Sequence, residues 1–184
     1  RAHRSVPPCS DFRACFNGEK MNRRKFVKLP PEKAPEMFSL VLERMQWMDK
    51  KGIEHWNVVE YDKLYPLSYY EEKCRDGLAF ALEDENGEPV CAAVLLEHDD
   101  RWEDDAPSLY VHNLASKLGE RDAGAEFLRR AGEYAVGEGK AYLRLDSAED
   151  SAALAKYYES LGFVNVGTCQ DGSYKGILRE KKLK

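Results

Sequence analysis

At 184 residues the chain is long enough to bury a core of its own and short enough for one domain. Hydrophobic residues make up 43% and charged residues 33%, the balance of an ordinary globular chain rather than a disordered or fibrous one. The net charge of -5 counts against a nucleic-acid binder, and no apolar run reaches the length a bilayer span needs.

Cys9, Cys15, Cys74, Cys91 and Cys169 form no close-spaced metal pattern, so no metal site is expected. Their odd count and wide scatter suit reduced thiols. The first twenty residues lack the apolar stretch of a secretory signal, and a cytoplasmic protein with no membrane partner is the expectation. Residues 1–20 hold Pro7-Pro8, several arginines and no periodicity, whereas Met21-Asn22-Arg23-Arg24 reads as a natural start of translation. A flexible extension over residues 1–20 and a single domain over residues 21–184 follow, with a functional N-terminal arm as the other reading.

Phe26 to Leu29 alternates apolar and basic residues and predicts an opening strand, stopped by Pro30-Pro31. Pro35 then opens a helix that runs to about Lys51 and stops at Gly52. Its Met37, Leu40, Val41, Met45 and Met48 recur at helical spacing and make one apolar stripe. A shorter helix is predicted over Leu67 to Arg75. Leu78 to Leu82 and Val90 to Leu96 flank Asp84-Glu85-Asn86-Gly87, where Asn-Gly favours the left-handed geometry of a tight hairpin. Their near-continuous apolarity predicts burial on both faces. Ser108 to Ser116 is a third strand, followed by a helix from Gly124 to about Gly137. A strand over Ala141 to Leu145, a helix over Ser151 to Ser160, and strands over Phe163 to Gly167 and Tyr174 to Leu178 complete the order. The whole predicts an α/β (α+β) fold, a mixed and mostly antiparallel central sheet with helices on both faces.

Two segments carry chemistry. Arg121-Asp122-Ala123-Gly124-Ala125-Glu126 stands at the mouth of a helix. A helix N-terminus carries unpaired N–H groups and partial positive charge, so it can hold a phosphate without any particular side chain. Ala123, Gly124 and Ala125 are small enough for close approach, although a solvated loop entering a core helix explains the same residues. The second segment is the helix Ser151 to Ser160, which places Tyr158 one turn before Gly162-Phe163. Its bland reading is a pair of core tyrosines, Tyr157 and Tyr158, with hydroxyls at the rim.

In this order and spacing the two segments resemble the acyl-CoA-dependent N-acetyltransferases of the GNAT superfamily, over roughly Phe26 to Lys184. The family's loop pattern is Arg/Gln-x-x-Gly-x-Gly/Ala; Arg121 and Gly124 match, while Glu126 puts a carboxylate where a small residue is expected. Leu114-Ala115-Ser116 stands where the family has Leu-Ala-Val, on a strand that splays from its neighbour. The family's helix pattern is Asn-x-x-Ala-x-x-Leu-Tyr-x-x-x-Gly-Phe; Tyr158, Gly162 and Phe163 match, while Ser151 and Leu154 depart.

The resemblance implies the GNAT fold with a splayed strand pair, and acetyl-CoA as donor with CoA as product. It implies cofactor contacts from Leu114, Ser116, Arg121, Asp122, Ala123, Gly124, Ala125, Glu126 and Ser151. The reaction it implies is transfer of an acetyl group to a primary amine, of a small molecule or a peptide, by direct attack in a ternary complex. Tyr158 takes the place of the acid that protonates the leaving thiolate. Family members often dimerise, so a homodimer is compatible with the reading. The rival is a non-catalytic acyl-CoA-binding module on the same scaffold. A dinucleotide binder fits poorly, because the loop lacks both the three-glycine spacing and a lysine-bearing phosphate motif.

For the base, strand alternation puts Tyr110, His112, Leu114 and Ser116 on one side, and histidine is the residue type suited to accept a proton directly or through water. His112 is the first candidate, with a hydrogen-bonded structural histidine as the equal alternative. Glu97-His98-Asp99-Asp100 is the second candidate region; with Glu103, Asp104 and Asp105 it makes an acidic segment around Trp102 that reads as a wall attracting a cationic amine, or as a solvated loop. Trp47, Trp56 and Tyr61 fall where the family builds its acceptor pocket, with core packing favoured for Trp47. Arg144 and Asp146 read as a structural polar pair.

Overall fold

The structure is a computed structural model and describes residues 24–183; the expected extension over residues 1–20, with Cys9 and Cys15, lies outside them. A short strand β1 (Lys25–Lys28) leads through a 3-10 turn over Pro31–Lys33 into α1 (Ala34–Lys51). Gly52 ends that helix in the left-handed conformation, where a Cβ would be strained. Then come α2 (Tyr61–Leu64), a single turn the sequence did not signal, and α3 (Leu67–Arg75). The hairpin β2 (Ala79–Glu83) and β3 (Pro89–Leu96) is followed by β4 (Ser108–Ser116), α4 (Ala123–Gly137) and β5 (Tyr142–Ala148). The chain ends with α5 (Ala152–Ser160), β6 (Val164–Asp171) and β7 (Tyr174–Lys182).

All seven strands form one sheet in the order β1-β2-β3-β4-β5-β7-β6. Every pairing is antiparallel except β4 with β5, so the sheet is mixed and mostly antiparallel. The predicted helices and strands are all present, with the last three strands longer than the sequence reading had them. In the β2–β3 hairpin only Gly87 is left-handed, not Asn86. The Asp84 carboxylate accepts from the Asn86 and Glu88 amides and holds the turn, which is why an acid starts it.

Both faces of the sheet are covered. On one, α4 and α5 lay Phe127, Leu128, Ala131, Ala135 and Tyr158 over Leu82, Ala93, Leu95, Leu109 and Val111. On the other, α1 and α3 lay Met37, Leu40, Val41 and Tyr70 over Ala79, Ala81, Ala92 and Ala115. The alanines on this second face present no bulk, so the helices pack close to the strands. This double burial accounts for the near-continuous apolarity of β2 and β3.

Candidate active site

β4 and β5 pair only from Ser108↔Tyr142 to Tyr110↔Arg144, and beyond those residues the strands part. Among the described residues, the parting leaves the outer backbone edge of β4 from Val111 to Ser116 without a partner strand on that side. A bulge deepens it. The β3–β4 register slips between Ala92 and Val94, and Asn113 takes the left-handed conformation at φ 55. The bulge also corrects the alternation expected from the sequence. His112 lies opposite Val94 on the α1/α3 face, whereas Ser116 lies opposite Cys91 and Leu114 packs into the α4/α5 core. Tyr110 and His112 therefore do not share a face with Leu114 and Ser116.

The open side of β4 leads into the loop before α4. Asp122 is left-handed at φ 58, and no side chain caps the helix, so the amides of Ala123, Gly124 and Ala125 are free of a cap. The hydroxyl of Tyr157 lies over this turn: a Cβ on Gly124 would come within 2.8 Å of it. Glu126, the residue that departs from the family pattern, is turned aside and ion-paired. Arg24 donates to Glu126 at 3.0 Å, to Glu120 at 2.8 Å and to the Arg121 carbonyl at 3.1 Å. Burial opposes the charge of Arg24, and the two carboxylates more than offset it. On the α1 side of the loop, Arg121 lines a cleft with Arg44, Trp47 and Lys117.

Tyr158 is 9% exposed, packed edge-on against Phe163 and Tyr157. Burial pushes its phenol up, and Tyr157, Asp146 and Cys91 add to the effect. Tyr158 belongs to the core on the α4/α5 face, and Asp146 and Cys91, which act on its phenol, stand on β5 and β3. Ser151 caps α5 by accepting from the Leu154 amide at 3.3 Å.

On the opposite face the parting is lined by polar and aromatic groups. His112 Nε2 stands 2.9 Å from Asp99, and an Arg101 nitrogen lies 3.1 and 3.2 Å from the two ring nitrogens. Arg101 also donates to Asp99 at 3.0 Å and to Asp146 at 2.8 Å, and the Tyr174 hydroxyl donates to Asp146 at 2.5 Å. Burial works to raise the Asp99 carboxyl, but hydrogen bonds from His112 and Arg101 hold it well below the usual range. Beside this network Trp56 stacks on Tyr61 at 4.4 Å, Tyr61 meets Tyr65 at 4.7 Å, and Tyr65 meets Tyr69 at 5.0 Å. Asn113 ties the row to the bulge, donating to Tyr61 at 2.6 Å and accepting from Tyr69 at 3.2 Å.

Several sequence readings change here. Arg144 and Asp146 are not each other's partners: Arg144 binds Asp104 and Glu180 and lies 4.3 Å over Trp102, while Asp146 faces Arg101. Trp102 is buried with Tyr110 and Leu178, and Asp99 is held inside by Arg101, while Glu97, Asp100, Glu103, Asp104 and Asp105 stay exposed, which is nearer the solvated-loop reading than a wall facing the site. Trp47 is not a core residue; it is partly exposed under the Arg44 guanidinium. Asp99 comes from the second candidate region for the base, whereas Arg101, Asn113, Tyr65, Tyr69 and Tyr174 are new to the site. The tyrosines at positions 61, 65 and 69 recur at four-residue spacing, and Asn113 interrupts an apolar strand; both were available signals. The buried thiols are poor nucleophiles, with Cys74 pushed up to about 11 by burial.

The fold of this chain has many counterparts among solved structures. A GNAT-family acetyltransferase from Listeria monocytogenes superposes with a TM-score of 0.72 at 18% identity, over 87% of this chain and 95% of that one. One from Streptococcus agalactiae gives 0.73 at 17% identity, over 88% and 96%. The fold is that of the GNAT acetyltransferases. The PaiA N-acetyltransferase from Thermoplasma acidophilum, solved in complex with coenzyme A, gives 0.68 at 16% identity over 86% and 98%. No family model matches the chain, and no curated protein matches it. Among the described residues, no helix is long and apolar enough to cross a membrane.

Proposed function

We propose that this chain is an N-acetyltransferase that moves an acetyl group from acetyl-CoA to a primary amine. The observation that carries the reading is the parting of β4 from β5, with the uncapped turn of α4 at its mouth and a different set of polar groups on each face. The residues fit the donor: the amides of Ala123, Gly124 and Ala125 suit a diphosphate, and the free edge of β4 from Val111 to Ser116 suits an amide-bearing arm. Acetyl-CoA supplies an acetyl group already activated as a thioester.

The chain's own groups divide the remaining work. Tyr158, on the α4/α5 face, keeps its proton at neutral pH because its phenol is pushed up, so it serves as a donor toward a departing thiolate. On the α1/α3 face Asp99 is an acceptor at neutral pH, which assigns the hydrogen at 2.9 Å to His112 Nε2. Nδ1 is then the nitrogen left to take a proton from the incoming amine, which requires the Arg101 guanidinium, 3.2 Å away, to give way to the amine; Asp99 stabilises the imidazolium that results. The aromatic row and Asn113 shape the amine's approach. Holding the two reactants on opposite faces of one opening is the larger share of catalysis in such a site.

The test is calorimetric titration with acetyl-CoA, CoA and ATP, then amine-dependent thiol release. Micromolar binding selective for the CoA species, with thiol release on adding an amine, supports the enzyme. Binding without turnover over a broad amine set favours the non-catalytic module. The absence of any CoA binding overturns both.

A further inference from the structure

On the α1 side of the loop before α4 lies a cleft of ≈ 370 Å³, within the range of small-ligand sites, lined by Arg44, Trp47, Ser116, Lys117, Arg121 and the carboxylate Glu120, which Arg24 pairs. The charges around it sort by whether they have partners. Arg24 is taken up by Glu120 and Glu126, and Arg129 and Arg130 are paired with Glu133. Arg44, Lys117 and Arg121 make no salt bridge among the described residues. Arg44 is the unusual one. Its guanidinium is half-buried over the Trp47 ring at 5.2 Å and spends one nitrogen on Ser116, 2.7 Å from the carbonyl and 3.1 Å from the hydroxyl. Burial lowers its pKa, and no carboxylate within hydrogen-bonding reach offsets that loss. A cation that has given up water without gaining a counter-ion is a receptor for an anion.

We infer that Arg44 and Trp47, with Lys117 and Arg121, form a subsite for the 3′-phosphorylated nucleoside end of coenzyme A. The inference rests on the acetyltransferase reading. The diphosphate of that ligand has the α4 amides for its own partners, and the 3′-phosphate is the one remaining charged group it carries. Three cations that make no salt bridge among the described residues meet its charge, the one carboxylate of the lining, Glu120, being paired with Arg24; a guanidinium offers two parallel donors to phosphate oxygens, and an indole edge suits a nucleoside. The position also explains why an arginine stands on α1 opposite the end of β4, where a neutral donor would brace the Ser116 carbonyl equally well.

The experiment compares CoA with 3′-dephospho-CoA, which differ only in that phosphate, by calorimetric titration of the whole chain. The wild type is expected to bind CoA about tenfold more tightly or better. Arg44→Gln retains a donor for Ser116 and is expected to reduce the preference to about threefold or less, leaving affinity for 3′-dephospho-CoA unchanged. Arg44→Lys, which keeps the charge but not the fork, is expected to fall between them. Equal binding of the two ligands by the wild type overturns the subsite alone, and so does an Arg44→Gln that weakens both alike, since that marks a brace. Failure of the wild type to bind either ligand instead sinks the acetyltransferase reading and takes the subsite with it.

Discussion

Replacing Arg24 with glutamine removes the charge that holds Glu120 and Glu126. The side chains involved are 8%, 33% and 24% exposed, between a surface pair and a buried one. Breaking this cluster is expected to cost about 2 kcal/mol of stability, or roughly 5 °C in Tm for a chain of this size. The effect on ligand binding follows from the charges. Arg24 and the two carboxylates together carry one net negative charge, and Arg24→Gln makes it two. One added charge about 6 Å from a phosphate, at an effective dielectric of about 40, is worth about 1.4 kcal/mol, or tenfold in affinity. Arg24→Gln is therefore expected to bind CoA about tenfold more weakly, and Arg24→Gln/Glu126→Gln to recover to within about threefold of the wild type. Urea unfolding reads the first effect and calorimetry the second. A double variant as weak as Arg24→Gln would refute the charge argument, because neutralising the freed carboxylate would then have made no difference. An Arg24→Gln with native affinity would remove Arg24 from the loop's function altogether.

Tyr158→Phe keeps the packing against Phe163 and loses only the hydroxyl, so turnover is expected to fall about a hundredfold with acetyl-CoA affinity within about threefold; unchanged turnover in an amine-dependent thiol assay would end its acid role. Gly124→Ala places a methyl 2.8 Å from the Tyr157 hydroxyl, and the resulting shift of the ring over the turn is expected to weaken CoA binding about tenfold with little change in Tm. Native affinity by titration would show that close approach is not why glycine stands there. Asp99→Asn is expected to cost about 3 kcal/mol at pH 7. Because the native carboxyl is held below its unfolded value, that contribution is complete above about pH 4 and is lost as pH falls further. Urea midpoints measured from pH 7 to 3 should converge for wild type and variant; parallel midpoints would mean that Asp99 acts by packing rather than by charge.

The sequence by itself determined the elements and their burial. The apolar stripe of α1, the continuous apolarity of β2 and β3, and Gly52 at a helix end each report a local requirement, and each is legible because periodicity and backbone strain act over a few residues. The turn before α4 and the helix that bears Tyr158 were legible for the same reason, as short segments with local signals. Only the tertiary structure decided what lies across the opening. The bulge at Asn113 is a property of β4 against β3, and it moved Leu114 and Ser116 off the face that His112 occupies. Glu126 departs from the family's loop pattern, and its partner Arg24 lies 102 positions away in the chain. The partners of Arg101, Arg144 and Asp146 come from strands brought together by sheet order, and no local pattern encodes those pairings. Propensity and periodicity are short-range, whereas electrostatic pairing is set by which distant segments the sheet makes adjacent.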